Sequence, residues 1–190
     1  MLCIPPEGVG IVRVVGPLTI MPAMATVLHF SKRLTECPQP GTISGIELRH
    51  FRDSEDIRLW LELRHRAFAR GTPGILQWTA EDFTAEFLAR AWWSPERIWF
   101  AVAADSALGE ELPVGTVALA DREVGRKTLP AVHWLAVLPG WRRRGVGRLL
   151  LENLEAHCWR QGHREVFLET HAGWTAARRL YEELGYRPAE

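Results

Sequence analysis

The sequence is short of cysteine, carries no excess of either charge and has no long apolar run. Its three cysteines, Cys3, Cys37 and Cys158, lie far apart, and none has a second cysteine or a histidine at metal-ligand spacing. Scattered cysteines in odd number are typical of a reducing compartment, so we expect a cytoplasmic protein and no bound metal. No apolar run reaches the roughly 18 residues of a membrane span, so we expect no membrane partner.

Charge and composition bound the class of protein. With 23 basic and 23 acidic residues, the formal net charge is zero. A dedicated nucleic-acid-binding protein usually carries a basic excess, so we expect no nucleic-acid partner. The 190 residues, of which 47% are hydrophobic, suit one globular domain with a sizeable core and some additional chain.

The chain divides at about residue 45. Residues 1–45 are rich in proline and glycine and contain two short apolar runs, at 10–15 and 25–30, either of which could form a strand. We interpret them as an N-terminal extension, part of which need not be native because Met21 and Met24 are alternative start positions. Residues 46–190 have regular patterns and are predicted to form the main folded domain.

Strand-like and helix-like segments alternate from residue 46 onward. Strand patterns occupy residues 46–51, 98–104, 114–120, 131–138 and 165–170. Helical periodicity with capping residues marks residues 53–68, 79–91, 145–161 and 174–184. Turn residues between the strands from 98 to 138 predict an antiparallel meander. The helix before the last strand predicts a right-handed crossover and a parallel pair, so the fold class is α/β, a mixed α+β sheet with helices on its faces.

The segment at residues 131–147, AVHWLAVLPGWRRRGVG, carries the chemistry. It predicts a strand, a loop with Gly145 and Gly147, and a helix start. Glycines let the backbone approach a ligand, and the free amides of a helix start suit a diphosphate. The loop lacks the Gly-Lys-Ser/Thr ending of nucleotide hydrolases and is not a GxGxxG motif. Added positive charge comes from Arg142, Arg143, Arg144 and Arg148.

Three motifs in order make the chain resemble the GNAT acetyltransferases over residues 46–187. The sequence RRRGVG at 142–147 matches the R/Q-x-x-G-x-G/A motif of that family, and LAV at 135–137 matches its splayed strand. The sequence AARRLYEELGY at 176–186 is similar to the A-x-x-L-Y-x-x-L-G-F ending. His133 with the following strand and loop also resembles the arylalkylamine N-acetyltransferases.

The resemblance implies acetyl-CoA as co-substrate and a small-molecule or peptide amine as acceptor. The amine would attack the thioester directly, without a covalent enzyme intermediate. Strand backbone would hold the pantetheine arm, and loop amides would hold the pyrophosphate. Trp174 stands where many members have an asparagine that contacts the coenzyme. The implied coenzyme residues are Leu135, Ala136, Val137, Arg142, Arg143, Arg144, Gly145, Val146, Gly147, Arg148 and Trp174.

The resemblance also implies catalytic candidates, each with a plainer alternative. Tyr181 matches the general acid near the coenzyme sulfur, and it also lies on the apolar face of the last helix. His133 is the first candidate for the base, because imidazole titrates near neutral pH, although a strand histidine can merely bond a neighbour. Glu169 and His171 are the other candidates for the base.

Other questions are left open by the sequence. Tryptophans at 60, 78, 92, 93 and 99 suit core packing better than an aromatic acceptor pocket. A non-catalytic acetyl-CoA sensor, a different acyl donor and an oxygen acceptor are alternatives to amine acetylation.

Family members usually add one or two strands beyond the last motif, so we expect an N-terminal run, or the partner in a homodimer, to cover the edge of residues 165–170.

Overall fold

The computed structural model describes residues 26–68, 77–104 and 111–189, which form one seven-stranded mixed sheet with helices on both faces. The strands are β1 (Val27–Arg33), β2 (Ile46–His50), β3 (Ile98–Ala104), β4 (Glu111–Val124), β5 (Lys127–Val137), β6 (Glu165–His171) and β7 (Arg187–Pro188). The helices are α1 (Glu55–Ala67), α2 (Ala80–Phe83), α3 (Val146–Arg160) and α4 (Thr175–Glu183). The order across the sheet is β2-β3-β4-β5-β6-β1-β7.

The predicted fold class is confirmed. Strands β2 to β5 pair antiparallel in sequence order, and α3 crosses over to place β6 parallel to β5. Strands β4 and β5 are longer than predicted because they continue into a hairpin whose turn contains Gly125. The predicted second helix is shorter: α2 continues as one π-helical turn, Thr84–Leu88, and then ends. No described helix has the length and apolarity that a membrane span requires.

A bulge in β5 separates this strand from β6. Thr116 pairs with Ala136 and Ala118 pairs with His133, so two residues of β5 lie opposite one residue of β4. Trp134, inside the bulge, has a left-handed φ of 55°. Such a bulge bends the strand and re-aims its side chains. The parallel pairing of β5 with β6 is limited to residues 131–132 and 167–168, and a cleft opens beyond it.

Strand β1 covers the edge of β6, as the sequence analysis expected of one of the N-terminal runs. It pairs antiparallel with β6 along its whole length, from Val27 opposite His171 to Arg33 opposite Glu165. A hydrogen-bonded ion pair of 2.6 Å between Lys32 Nζ and Glu155 Oε2 joins β1 to α3. The other run, at 10–15, lies outside the described residues. The division of the chain at residue 45 stays a prediction, although β1 belongs to the same sheet as the later strands.

Deleting residues 1–40 is therefore expected to lower the melting temperature and the solubility, because the edge of β6 would lose its partner. Thermal unfolding and the soluble yield measure both effects. The matched control deletes residues 1–25 and retains β1, so the difference between the two variants reports on the strand. Equal melting temperatures for the two deletions would contradict this role of β1.

Two apolar clusters hold the helices against the sheet. On one face, α3 contributes the fully buried Leu150, Leu151 and Leu154. On the other, Trp60 of α1 packs edge-to-face on Phe83 and Phe87. The five tryptophans considered for an acceptor pocket all pack in or against these clusters, as their large area favours. Of the five, Trp78 also lines the cleft.

Candidate active site

The cleft between the diverging strands has a volume of about 1170 Å³. Its walls are β5, the loop before α3, the end of β6, α4 and the end of α1. Ten of the eleven predicted coenzyme residues line it, together with the predicted catalytic residues and His171. The residue outside the lining is Arg144, whose guanidinium lies over the Trp141 ring at 5.0 Å.

The loop before α3 presents backbone amides to the cleft. Arg143 and Gly145 have left-handed φ angles of 63° and 85°, and none of the described side chains caps the N-terminus of α3. The first hydrogen bond of the helix runs from the Leu149 amide to the Gly145 carbonyl, so the amides of the first turn have no helical acceptor. This arrangement fits an anionic group such as a diphosphate.

The arginines of the loop have separate roles. Arg142 donates from Nε to the Val137 carbonyl at 3.1 Å and from Nη2 to the Ala67 carbonyl at 2.5 Å. It thereby joins β5 to the end of α1. Arg148 forms ion pairs with Glu152 and Glu183 at 3.6 and 3.4 Å.

Gly147 allows the last helix to pack closely on the start of α3. A Cβ at this position would lie 3.0 Å from Leu180 Cδ2 of α4. The sequence analysis predicted that this glycine permits close approach of a ligand. The structure adds that it permits close approach of α4, which carries Tyr181.

Tyr181 combines both predicted readings. Its side chain belongs to the apolar cluster that α3 forms with the sheet, and it also lines the cleft. Within the described part of the chain, no group hydrogen-bonds to its hydroxyl. Burial raises the pKa of Tyr181, so the phenol stays protonated and available as a hydrogen-bond or proton donor.

His133 lies in a closed polar network. Its Nε2 is 2.9 Å from Glu86 Oε1, and its Nδ1 is 3.2 Å from Arg122 Nη2. A guanidinium only donates, so Nδ1 accepts from Arg122 and the ring proton is on Nε2, the nitrogen that lies near Glu86. Burial lowers the pKa of His133, against the opposing effect of Glu86. His133 thus has no lone pair directed at the cleft, and acting directly as a base would require Arg122 to withdraw.

Glu86 is the anionic centre of this network. Burial acts to raise its pKa, but the hydrogen bond from His133 and the charges of Arg122 and Arg90 prevail and lower it to about 2. The sequence analysis did not detect this role, because an acid near the start of a helix ordinarily matches the helix dipole. The π-helical turn that follows α2 brings Glu86 to His133.

Glu169 and His171 occupy the end of β6. Glu169 lines the cleft, its side chain is 53% exposed, and its Oε1 lies 3.4 Å from His29 Nε2 of β1. The His171 and Trp174 rings are in contact, with 4.8 Å between their centroids. Trp174 in turn stacks on Phe68, with 5.8 Å between the ring centroids. Trp174 therefore contributes an aromatic surface where the resemblance suggests an amide.

Comparison with known proteins decides the family. Residues 58–186 match the family described as Acetyltransferase (GNAT) family. The chain belongs to the GNAT acetyltransferases. This family consists of acyltransferases that use acetyl-CoA. The narrower similarity to arylalkylamine N-acetyltransferases stays a prediction.

Individual relatives agree with this assignment. The chain is 33% identical to a mycothiol acetyltransferase of Geodermatophilus obscurus, over 75% of this chain and 44% of that protein. A GCN5-related N-acetyltransferase from Sphaerobacter thermophilus is 28% identical, with a TM-score of 0.68 over 86% of this chain and 48% of the other. The NatC complex bound to Gag peptide and CoA shares the fold, with 20% identity and a TM-score of 0.61. The match covers 76% of this chain and 86% of the other. The chain spans about half the length of the curated relatives it matches.

The part of the cleft beside α1 contains a charged group that was not predicted from the sequence. The Arg64 guanidinium lies between two indoles, 4.6 Å from the centre of the Trp78 ring and 4.4 Å from that of Trp134. Burial lowers the pKa of Arg64 to about 10, which leaves it charged at neutral pH. The arginine belongs to α1, and only the bulge in β5 brings Trp134 to it, so no local pattern could reveal the contact.

Proposed function

We propose that the protein transfers an acetyl group from acetyl-CoA to a primary amine by direct attack. The observation that carries the proposal is the convergence of three features in one cleft. These features are the diverging strands β5 and β6, the amides at the start of α3, and the buried hydroxyl of Tyr181. The diverging strands suit the pantetheine arm of acetyl-CoA, the amides suit its pyrophosphate, and the Tyr181 hydroxyl suits the sulfur of its thioester.

The residues present fit acetyl-CoA. Backbone groups of Leu135, Ala136 and Val137, beyond the last pairing with β6, are positioned to bond the amide groups of the pantetheine arm. Amides from Arg143 to Gly147 would hold the pyrophosphate, with the Arg143 guanidinium adding charge. Acetyl-CoA supplies an activated acyl group with a thiolate leaving group.

Residues of the chain carry out the two proton transfers that the reaction requires. The neutral amine forms the C–N bond, and its proton passes to a base, for which the half-exposed Glu169 carboxylate is better placed than the engaged His133 imidazole. The C–S bond breaks, its electron pair stays on sulfur, and Tyr181 donates a proton to the thiolate. Water afterwards removes the proton from Glu169 and returns one to Tyr181.

The charges in the cleft and the names of similar proteins restrict the chemical class of the acceptor. The Glu86 carboxylate is already paired with Arg122 and lies against His133, so it is not available to bind a second positive charge of a polycationic acceptor. The relatives named mycothiol acetyltransferase make the acceptor of that reaction a candidate. A homodimer stays a prediction, and the sheet does not need one at β6 because β1 covers that edge.

Thiol release from acetyl-CoA tests the proposal. The panel comprises amino acids, arylalkylamines, N-terminal peptides, amino sugars, polyamines and aminoglycosides. We expect acetyl transfer to a monoamine, and Arg143→Glu should raise the KM for acetyl-CoA about tenfold by opposing the pyrophosphate. Arg126→Glu, an exposed charge reversal in the β4–β5 turn, is the matched control. A protein that neither releases thiol with any amine nor binds acetyl-CoA would overturn the proposal.

A further inference from the structure

Residues of both β6 and β1 line the cleft. Alternate residues of β6, Phe167, Glu169 and His171, line the cleft, and so does Val27 at the start of β1. Val27 lies directly opposite His171 in the antiparallel register. The N-terminal strand therefore covers a sheet edge and also extends the surface on which an acceptor would lie.

His29 is the next residue of β1 on the same face. It lies opposite Glu169 in the register, with 3.4 Å between His29 Nε2 and Glu169 Oε1. Its ring contacts the Phe167 ring, with 5.6 Å between centroids and 59° between planes, which restricts its rotation. Across the part of the chain that the structure describes, His29 is the only side chain that contacts the Glu169 carboxylate.

We propose that His29 is a positioning residue, which β1 supplies to hold the Glu169 carboxylate toward the acceptor amine. The inference rests on the proposed function, because it assigns His29 a part in the same transfer. In the step, the amine nitrogen bonds the acetyl carbon and its proton moves to Glu169, while the C–S electron pair leaves on sulfur and takes the Tyr181 proton. His29 would orient the carboxylate by donating from Nε2–H across the 3.4 Å that separates the two groups, and it exchanges no atom.

A purely structural role predicts a different outcome. A cross-strand pair with both side chains half exposed contributes little to the free energy of unfolding. The position of a catalytic group matters far more to the rate, since a displacement of about 1 Å can cost about a hundredfold. Loss of His29 should therefore affect kcat while leaving the fold and the coenzyme site intact.

Steady-state kinetics of the full chain with acetyl-CoA and the best amine of the panel test the inference. His29→Ala should lower kcat at least about tenfold, with an unchanged KM for acetyl-CoA. His29→Gln, whose amide can still donate to Glu169, should restore most of kcat. Ser31→Ala, on the same face of β1 two residues away, is the matched control. In a Glu169→Gln background, His29→Ala should have no further effect.

The outcomes separate this inference from the proposed function. An active His29→Ala variant with the kcat of Ser31→Ala would overturn the role of His29 and leave acetyl transfer standing. Equal losses from His29→Ala alone and in the Glu169→Gln background would also overturn it, because the two residues would then act independently. Wild-type protein that releases no thiol with any amine would overturn the proposed function and this inference together.

Discussion

Tyr181→Phe is expected to lower kcat about a hundredfold while leaving the melting temperature unchanged. A positioned general acid contributes roughly a hundredfold or more to a rate, and phenylalanine removes the proton that the leaving thiolate needs. Because no described group bonds the Tyr181 hydroxyl, its loss leaves no buried polar partner behind. Thiol release at saturating acetyl-CoA measures kcat, and thermal unfolding measures stability.

Tyr186 provides the matched control, since the chain contains two tyrosines. The Tyr186 ring is 5.9 Å from that of Tyr181 and fully buried, but it does not line the cleft. Tyr186→Phe should keep kcat near the wild-type value. Similar rates for wild type and Tyr181→Phe would remove the tyrosine from the mechanism and leave the thiolate to be protonated by water.

Lys32→Met is expected to reduce the free energy of unfolding by about 3 kcal/mol at pH 8, since breaking a buried ion pair leaves an uncompensated charge. Glu155 is fully buried and Lys32 is 19% exposed. Burial raises the pKa of Glu155, against the lowering effect of Lys32. Its native state therefore binds more protons than the unfolded state, and stability rises as pH falls toward the ordinary carboxyl range.

The stability lost in Lys32→Met should accordingly shrink between pH 8 and pH 5, where protonation removes the buried charge. Urea unfolding of wild type and variant at both pH values measures the difference. Lys32→Met combined with Glu155→Leu should recover much of the loss, because an apolar pair needs no compensation. Arg33→Met, at the exposed neighbouring position, is the control. A loss that stays constant with pH would show that Glu155 is not responsible.

Local patterns were sufficient for the central part of the fold. The meander, α3 and β6 follow from alternating and helical periodicity over short windows, and the coenzyme loop is one continuous segment with its own glycines. The cap of α2 was also predictable, because Thr79 accepts a hydrogen bond from the Asp82 amide in a capping box. In these places the residues that determine the structure are neighbours in sequence.

Contacts between distant segments were not predictable in the same way. The sequence indicated that an N-terminal run could cover β6, but not the register that sets His29 opposite Glu169. It could not reveal that the Arg142 guanidinium bonds the Ala67 carbonyl 75 positions away, and the assignment of Arg142 to the coenzyme stays a prediction. It also could not reveal that Trp134 adopts a left-handed conformation, since a tryptophan rarely does so.

The fate of the acetyl group tests the central claim most directly. The protein would be incubated with acetyl-CoA labelled with ¹³C in the acetyl group and with the best amine of the panel, and both protein and products analysed by mass spectrometry. Direct transfer predicts the label in an amide of the acceptor, one per CoA released, with none on the protein. Label on a protein side chain that chases into the product, or label recovered only as free acetate, would contradict it.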